Sequence, residues 1–123
     1  MTYSWTKSNI GNWLHLEAVD LRNVQTEGVY IIWYRGSQGR SGSVVYVGQG
    51  DVAVRLAQHR QNQLIMRHNL SQKLLVSWLA LPSQYRDGVE RYLADTWQPL
   101  EGSSWPNAKH VRVAAPWEAE AIA

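Results

Sequence analysis

"EGVYIIWYRGSQGRSGSVVYVGQG", residues 27–50, holds two apolar runs on either side of a glycine- and serine-rich stretch. Residues 27–34 and 43–48 are rich in valine, isoleucine and tyrosine and are bounded by glycines, which is strand composition. The intervening "RGSQGRSG" reads as a long hairpin loop. Side chains alternate along a strand, so Tyr30, Ile32 and Tyr34 share one face while Val29, Ile31 and Trp33 share the other. By the same count Tyr46 shares a face with Val44. An antiparallel pairing of suitable register projects Tyr30 and Tyr46 from the same side of the sheet. Burial explains the valines and isoleucines, but it does not require a tyrosine near the glycine end of each strand.

The following residues supply the flanking elements. Asp51 is placed to cap a helix over about 52–63, "VAVRLAQHRQNQ", whose buried side is Val52, Ala53, Leu56 and Ala57. Arg55 and His59 lie one turn apart on one helical face, with Asn62 near the same line. "KLLVSWLAL", 73–81, is short and apolar between polar flanks, and predicts a buried strand. In "RDGVERYLADTWQPL", 86–100, Val89, Leu93, Thr96, Trp97 and Leu100 recur at helical spacing until Pro99 stops the helix. Glu90 stands beside that stripe, at the rim of the core. "HLEAVDLRNV" predicts a short helix or turn, "KHVRV" a short strand, and the alanine-rich end little structure. The expected fold class is α/β (α+β): a three-stranded, mainly antiparallel sheet flanked by helices.

Composition narrows the function. The 123 residues fit one domain, with no room for a separate specificity domain. Seven tryptophans, six tyrosines and no phenylalanine mean that the large core residues carry polar atoms seeking partners. Trp33, Trp78 and Trp97 are assigned to packing. The absence of cysteine excludes disulfides, thiolate zinc sites and cysteine nucleophiles. "MTYSWTKSNI" lacks a signal-like apolar run, and no stretch approaches the length of a membrane span, so a cytoplasmic protein with no membrane association is expected. Between Gly28 and Lys73 six basic residues face the single acid Asp51, a local charge of +5 within a chain of net +2. A basic middle suits phosphate binding, although each arginine taken alone is an ordinary solvated residue.

The order β, β, α, β, α, with "GVY" at 28–30, "YVG" at 46–48, Arg55 and His59 on the first helix and Glu90 on the second, resembles the GIY-YIG nuclease superfamily over roughly residues 24–102. The resemblance implies a metal-dependent endonuclease cutting DNA, with RNA as an alternative substrate and a partner protein as a source of target specificity. It implies Tyr30 as general base, Tyr46 orienting water or phosphate, Arg55 pairing with phosphate, and His59 exchanging a proton or a hydrogen bond. Glu90 becomes the ligand of one divalent cation, magnesium or alternatively manganese, because magnesium accepts few protein oxygens and keeps several waters. Arg35, Arg40, Arg60, Arg67 and Lys73 are the candidate nucleic-acid contacts. Tyr30→Phe is expected to change stability little.

Three features depart from the family pattern. The loop between the naming motifs is long, the spacing from Gly48 to Arg55 is short by one residue, and "PLEG" stands where an asparagine commonly follows the last helix, Asn107 lying further on. Two function classes follow: a nuclease, and a catalytically silent module binding nucleic acid or protein. The tyrosines, Arg55 and Glu90 favour the first, and the missing asparagine favours the second.

Overall fold

The structure, a computed structural model, describes residues 3–36, 42–69 and 73–122. In chain order it contains β1 (Leu14–His15), a 3-10 turn (Leu21–Asn23), β2 (Glu27–Tyr34), β3 (Ser43–Asp51), α1 (Val52–Arg60), α2 (Gln63–Met66), β4 (Leu75–Ala80), α3 (Ser83–Trp97) and α4 (Pro116–Ile122). The strands form one antiparallel sheet in the order β1-β4-β2-β3, with helices on its faces. The architecture is therefore α+β. The three expected strands are present, and β1 adds a fourth, pairing Leu14 with Val76 and His15 with Leu75. Two residues are too few to carry a strand period, which is why β1 leaves no trace in the sequence.

Strand β2 lies between β3 and β4, and residues 28–33 are all buried. Its alternation divides the core. Tyr30 and Ile32 pack with Val45, Val52, Leu56, Ile65, Val76 and Trp78 on the α1 side. Val29, Ile31 and Trp33 pack with Val47, Leu79, Val89 and Leu93 on the α3 side. Leu93 is completely buried, and truncating such a residue to alanine costs about 2–5 kcal/mol. The tryptophan handles are mostly satisfied: Trp33 Nε1 donates to Ser77 Oγ at 3.0 Å and Trp5 Nε1 to the Ala114 carbonyl at 2.7 Å. Trp5, Leu16 and Ala115 are buried too, so the core draws on residues outside 24–102.

The β2–β3 register changes one expectation. Tyr46 opposes Ile32 and Val44 opposes Trp33, leaving Val45 as the extra residue of a bulge. A bulge shifts the alternation by one. Val44 therefore joins the α3 side with Trp33, while Val45 and Tyr46 both belong to the side of Tyr30.

Helix boundaries differ for local reasons. α1 ends at Arg60, and the Asn62 side chain accepts from Leu64 N at 2.9 Å to start α2. Val52 and Leu56 are buried, Ala53 is half-buried and Ala57 is exposed. α3 begins at Ser83 and stops where Gln98 turns left-handed at φ 49°, one residue before Pro99. Thr96 and Leu100 are exposed rather than buried. "KHVRV" forms no strand; Val111 N instead bonds the Gly88 carbonyl on α3 at 3.1 Å. The alanine-rich end is helical as α4. Among the described residues no helix is long and apolar enough to cross a membrane.

Candidate active site

The two motif glycines answer to close contacts. Gly28 lies against β4 so tightly that a Cβ there would come within 1.8 Å of the Leu79 carbonyl oxygen. Gly48 is the cross-strand partner of Tyr30, and a Cβ on it would fall 2.3 Å from the Tyr30 hydroxyl. The phenol of Tyr30 thus occupies the space that a side chain at 48 would need. Tyr46 follows on the same side, its ring 6.2 Å from that of Tyr30 and inclined by 16°.

α1 starts directly from β3, with the Asp51 carboxylate accepting from Val54 N at 3.3 Å. This abrupt turn brings the first two turns of α1 over the tyrosines. Arg55 donates from Nε to Tyr30 Oη at 3.2 Å and from Nη2 to Tyr46 Oη at 3.3 Å, so one guanidinium grips both hydroxyls. His59 Nε2 lies 2.6 Å from Tyr30 Oη, and its ring centroid is 4.5 Å from that of Tyr46. Four side chains separated in sequence by up to 29 positions form one hydrogen-bonded group.

Burial dominates the titration of Tyr30 and His59. Tyr30 has 0% of its surface exposed. Desolvation raises its pKa well above the ordinary phenol value, with Arg55 opposing the shift and Tyr46 and Glu90 adding to it. Burial, followed by the charge of Arg55, depresses His59 to about 4. His59 is therefore neutral at pH 7 and can accept a proton at one nitrogen. In the tautomer that carries its proton on Nδ1, the imidazole accepts the phenol's own proton at Nε2.

Glu90 approaches from the other side of β3. It belongs to α3 and is 7% exposed, further inside than the rim position expected. Gln49, next to Gly48, donates from Nε2 to Glu90 Oε2 at 2.7 Å and to Asp87 Oδ1 at 2.6 Å. Burial raises the pKa of Glu90, Gln49 opposes this, Asp87 reinforces it, and Arg55 acts against it. The charge of Glu90 on Tyr30 and that of Arg55 on Glu90 are the smallest of the influences on each. Among the described residues no three His, Cys, Asp or Glu side chains converge as a metal cluster. The buried carboxylate of Glu90 and the second carboxylate of Asp87 offer oxygen donors of the hard kind, with the Gln49 amide nitrogen turned to both, and two such carboxylates fit a magnesium- or manganese-type ion that keeps most of its waters.

The candidate nucleic-acid contacts are spread out. Arg60 spans from α1 to the N-terminal segment, donating to the carbonyls of Leu16, at 2.7 Å, and Val19. Arg67 pairs with Glu101 at 2.7 Å, and Lys73 with Glu17 at 3.2 Å. Arg35 lies over the Trp33 ring, 5.5 Å from its centroid. Arg40 lies outside the described residues. The structure brings together Tyr30, Tyr46, Arg55 and His59; Arg67 reaches Glu101 in the segment beside Tyr46, whereas Arg35, Arg60 and Lys73 make their contacts with residues outside that group.

Three neighbours escape the sequence reading. Gln49 and Asp87 flank Glu90, and the 100–105 segment walls the site beside Tyr46. Leu100 N and Glu101 N bond the carbonyls of Val44 and Val45 at 3.0 and 2.9 Å, and Trp105 Nε1 bonds that of Val47 at 3.2 Å. "PLEG" therefore covers the outer edge of β3. The helical spacing of Asp87 and Glu90, three apart, is the one signal that could have revealed Asp87. No family model, curated protein or solved structure matches this chain.

Proposed function

We propose that the protein is a divalent-metal-dependent endonuclease of the GIY-YIG kind, hydrolysing phosphodiester bonds in DNA. The observation that carries this reading is the Arg55 guanidinium bridging the Tyr30 and Tyr46 hydroxyls while His59 Nε2 lies 2.6 Å from the Tyr30 oxygen. Simple packing of two tyrosines would not require a shared cation and a neutral buried imidazole.

The roles follow from the geometry. A scissile phosphate is attracted by Arg55, whose planar fork suits phosphate oxygens. As Arg55 turns towards the phosphate it releases the Tyr30 oxygen. Water then donates to Tyr30 Oη while Tyr30 passes its own proton to His59 Nε2, and the water oxygen forms its bond to phosphorus as the ester oxygen leaves with its bonding pair and takes a proton from solvent, His59 afterwards returning its proton to solvent. The phenol stays neutral throughout, which avoids the phenolate that burial disfavours. Charge on the bound phosphate offsets that of Arg55, one of the two causes keeping His59 at about 4, and so makes the imidazole more basic when substrate is present. Tyr46, partly exposed, holds the water or the phosphate. Glu90 would hold the cation, which when bound supplies Lewis acidity at the phosphoryl and leaving oxygens.

The full burial of Tyr30 favours a second reading, a silent interaction module that keeps this constellation as structure. Purified protein distinguishes the two. The nuclease converts supercoiled plasmid to nicked circles in Mg2+ and stops when EDTA is added. DNA binding without nicking in Mg2+ or Mn2+ leaves the silent module.

A further inference from the structure

The Gln49 side chain has an unusual position. One amide nitrogen supplies both of its hydrogens to carboxylates, at 2.6 Å to Asp87 Oδ1 and 2.7 Å to Glu90 Oε2. Ionised carboxylates only accept, so they fix the amide with its nitrogen, the positive end of its dipole, between them. Asp87 is exposed and Glu90 buried, so the nitrogen sits where the polar edge of α3 passes into the core. It is also the point to which a cation held by Glu90 would be drawn, because both negative groups face it.

We infer that Gln49 is a cation-responsive positioning residue: without metal its amide nitrogen holds the carboxylates of Glu90 and Asp87, and with metal the amide reverses so that Oε1 faces the ion beside them. This inference rests on reading Glu90 as the cation ligand. Reversing a carboxamide exchanges nitrogen and oxygen in nearly the same place, so no backbone movement of β3 is required. The present separations are close in scale to the ~2.9 Å that divides neighbouring oxygens around an octahedral magnesium with bonds of about 2.0–2.1 Å. The reversal also removes a conflict, since an ion cannot share that point with two N–H groups. Asp87 becomes the second negative contact, directly or through one of the waters that magnesium retains. Neither Gln49 nor Asp87 moves the protons of the reaction; they set how firmly Glu90 and its cation are held.

Mn2+ binding to the whole protein, read from the loss of the free-ion paramagnetic resonance signal, tests this without any cleavage. Gln49→Met keeps the length and removes the amide; it is expected to bind Mn2+ about tenfold or more weakly, the scale of losing a group that supports a metal ligand. Gln49→Glu keeps an oxygen in place and is expected to bind more tightly than Gln49→Met. In the parent, the NMR signal of the Gln49 side-chain NH2 is expected to shift on saturation with Mg2+. A Gln49→Met protein that stays folded and binds Mn2+ as the parent does, or a Gln49 NH2 signal unmoved by Mg2+, would overturn the inference while leaving Glu90 as a ligand. Glu90→Gln tests the underlying reading separately: uptake equal to the parent's, or a parent that takes up no Mn2+ at millimolar concentration, removes that reading and the inference with it.

Discussion

Tyr30 Oη stands 2.6 Å from His59 Nε2, and the Arg55 Nε–H meets the same oxygen from 3.2 Å. One buried hydroxyl therefore accepts from a guanidinium and shares a hydrogen bond with a neutral imidazole. This joins the strand that carries Tyr30 to the helix that carries both partners, so the contact belongs to the fold as well as to the site.

Tyr30→Phe consequently separates stability from packing. The ring still fits over Gly48, but His59 and Arg55 each lose a partner next to the core. Removing one partner of a buried hydrogen bond costs about 1–3 kcal/mol. Denaturant unfolding should show a loss on that scale, in contrast to the near-neutral change that ring shape alone suggests. If the proposed relay operates, cleavage should also fall by ~10²–10⁴, the range for loss of general-base assistance.

His59 makes stability depend on pH. Its folded value of about 4 lies below the ordinary 6.5. Between those values the unfolded chain binds more protons than the folded one, so stability rises with pH across this window and its contribution is complete above it. Lowering the pH from 7 to 4 should therefore reduce the melting temperature. In His59→Gln the slope over that window should be shallower, after allowance for the carboxylates that titrate in its lower part. Equal slopes for parent and variant would show that His59 does not resist protonation.

Gly48→Ala tests the closest approach in the site. The added methyl would lie 2.3 Å from the Tyr30 hydroxyl and 2.5 Å from Cζ of the same ring. The tyrosine must move, and overpacking of this kind costs about 1–3 kcal/mol. Displacement also breaks the 2.6 Å contact with His59, so a fall in melting temperature should be accompanied by a perturbed His59 signal in NMR. An unperturbed His59 in a folded Gly48→Ala protein would mean that the strands part to admit the methyl.

Much of this arrangement is legible in the sequence, for physical reasons. Alternation in "EGVYIIWY" identifies β2 and its two buried faces, and Asp51 marks the start of α1 because a carboxylate at that position can satisfy a free N–H. The pairing of Arg55 with His59 follows from helical period. The bulge at Val45 is not legible, since an extra residue in a strand leaves no local signal and depends on how Trp33 and Val44 meet across the ladder. Gln49 and Asp87 are hidden for a related reason: each looks like a surface residue until α3 crosses β3. The charge run is ambiguous in the same way, because only the folded chain brings the Arg60 donors to the carbonyls of Leu16 and Val19.

The central claim is that this group of side chains hydrolyses phosphodiesters with a cation held by Glu90. The most direct measurement compares the parent with Glu90→Gln on the same supercoiled plasmid in Mg2+, following nicking and DNA binding together. The parent should nick and should stop with EDTA. Glu90→Gln should remain folded and bind DNA within a few-fold of the parent, because affinity comes mainly from cationic contacts to phosphate, while nicking falls by about 10³ or more. Nicking by folded Glu90→Gln at the parental rate, or no nicking by a parent that binds the plasmid in Mg2+, would contradict it.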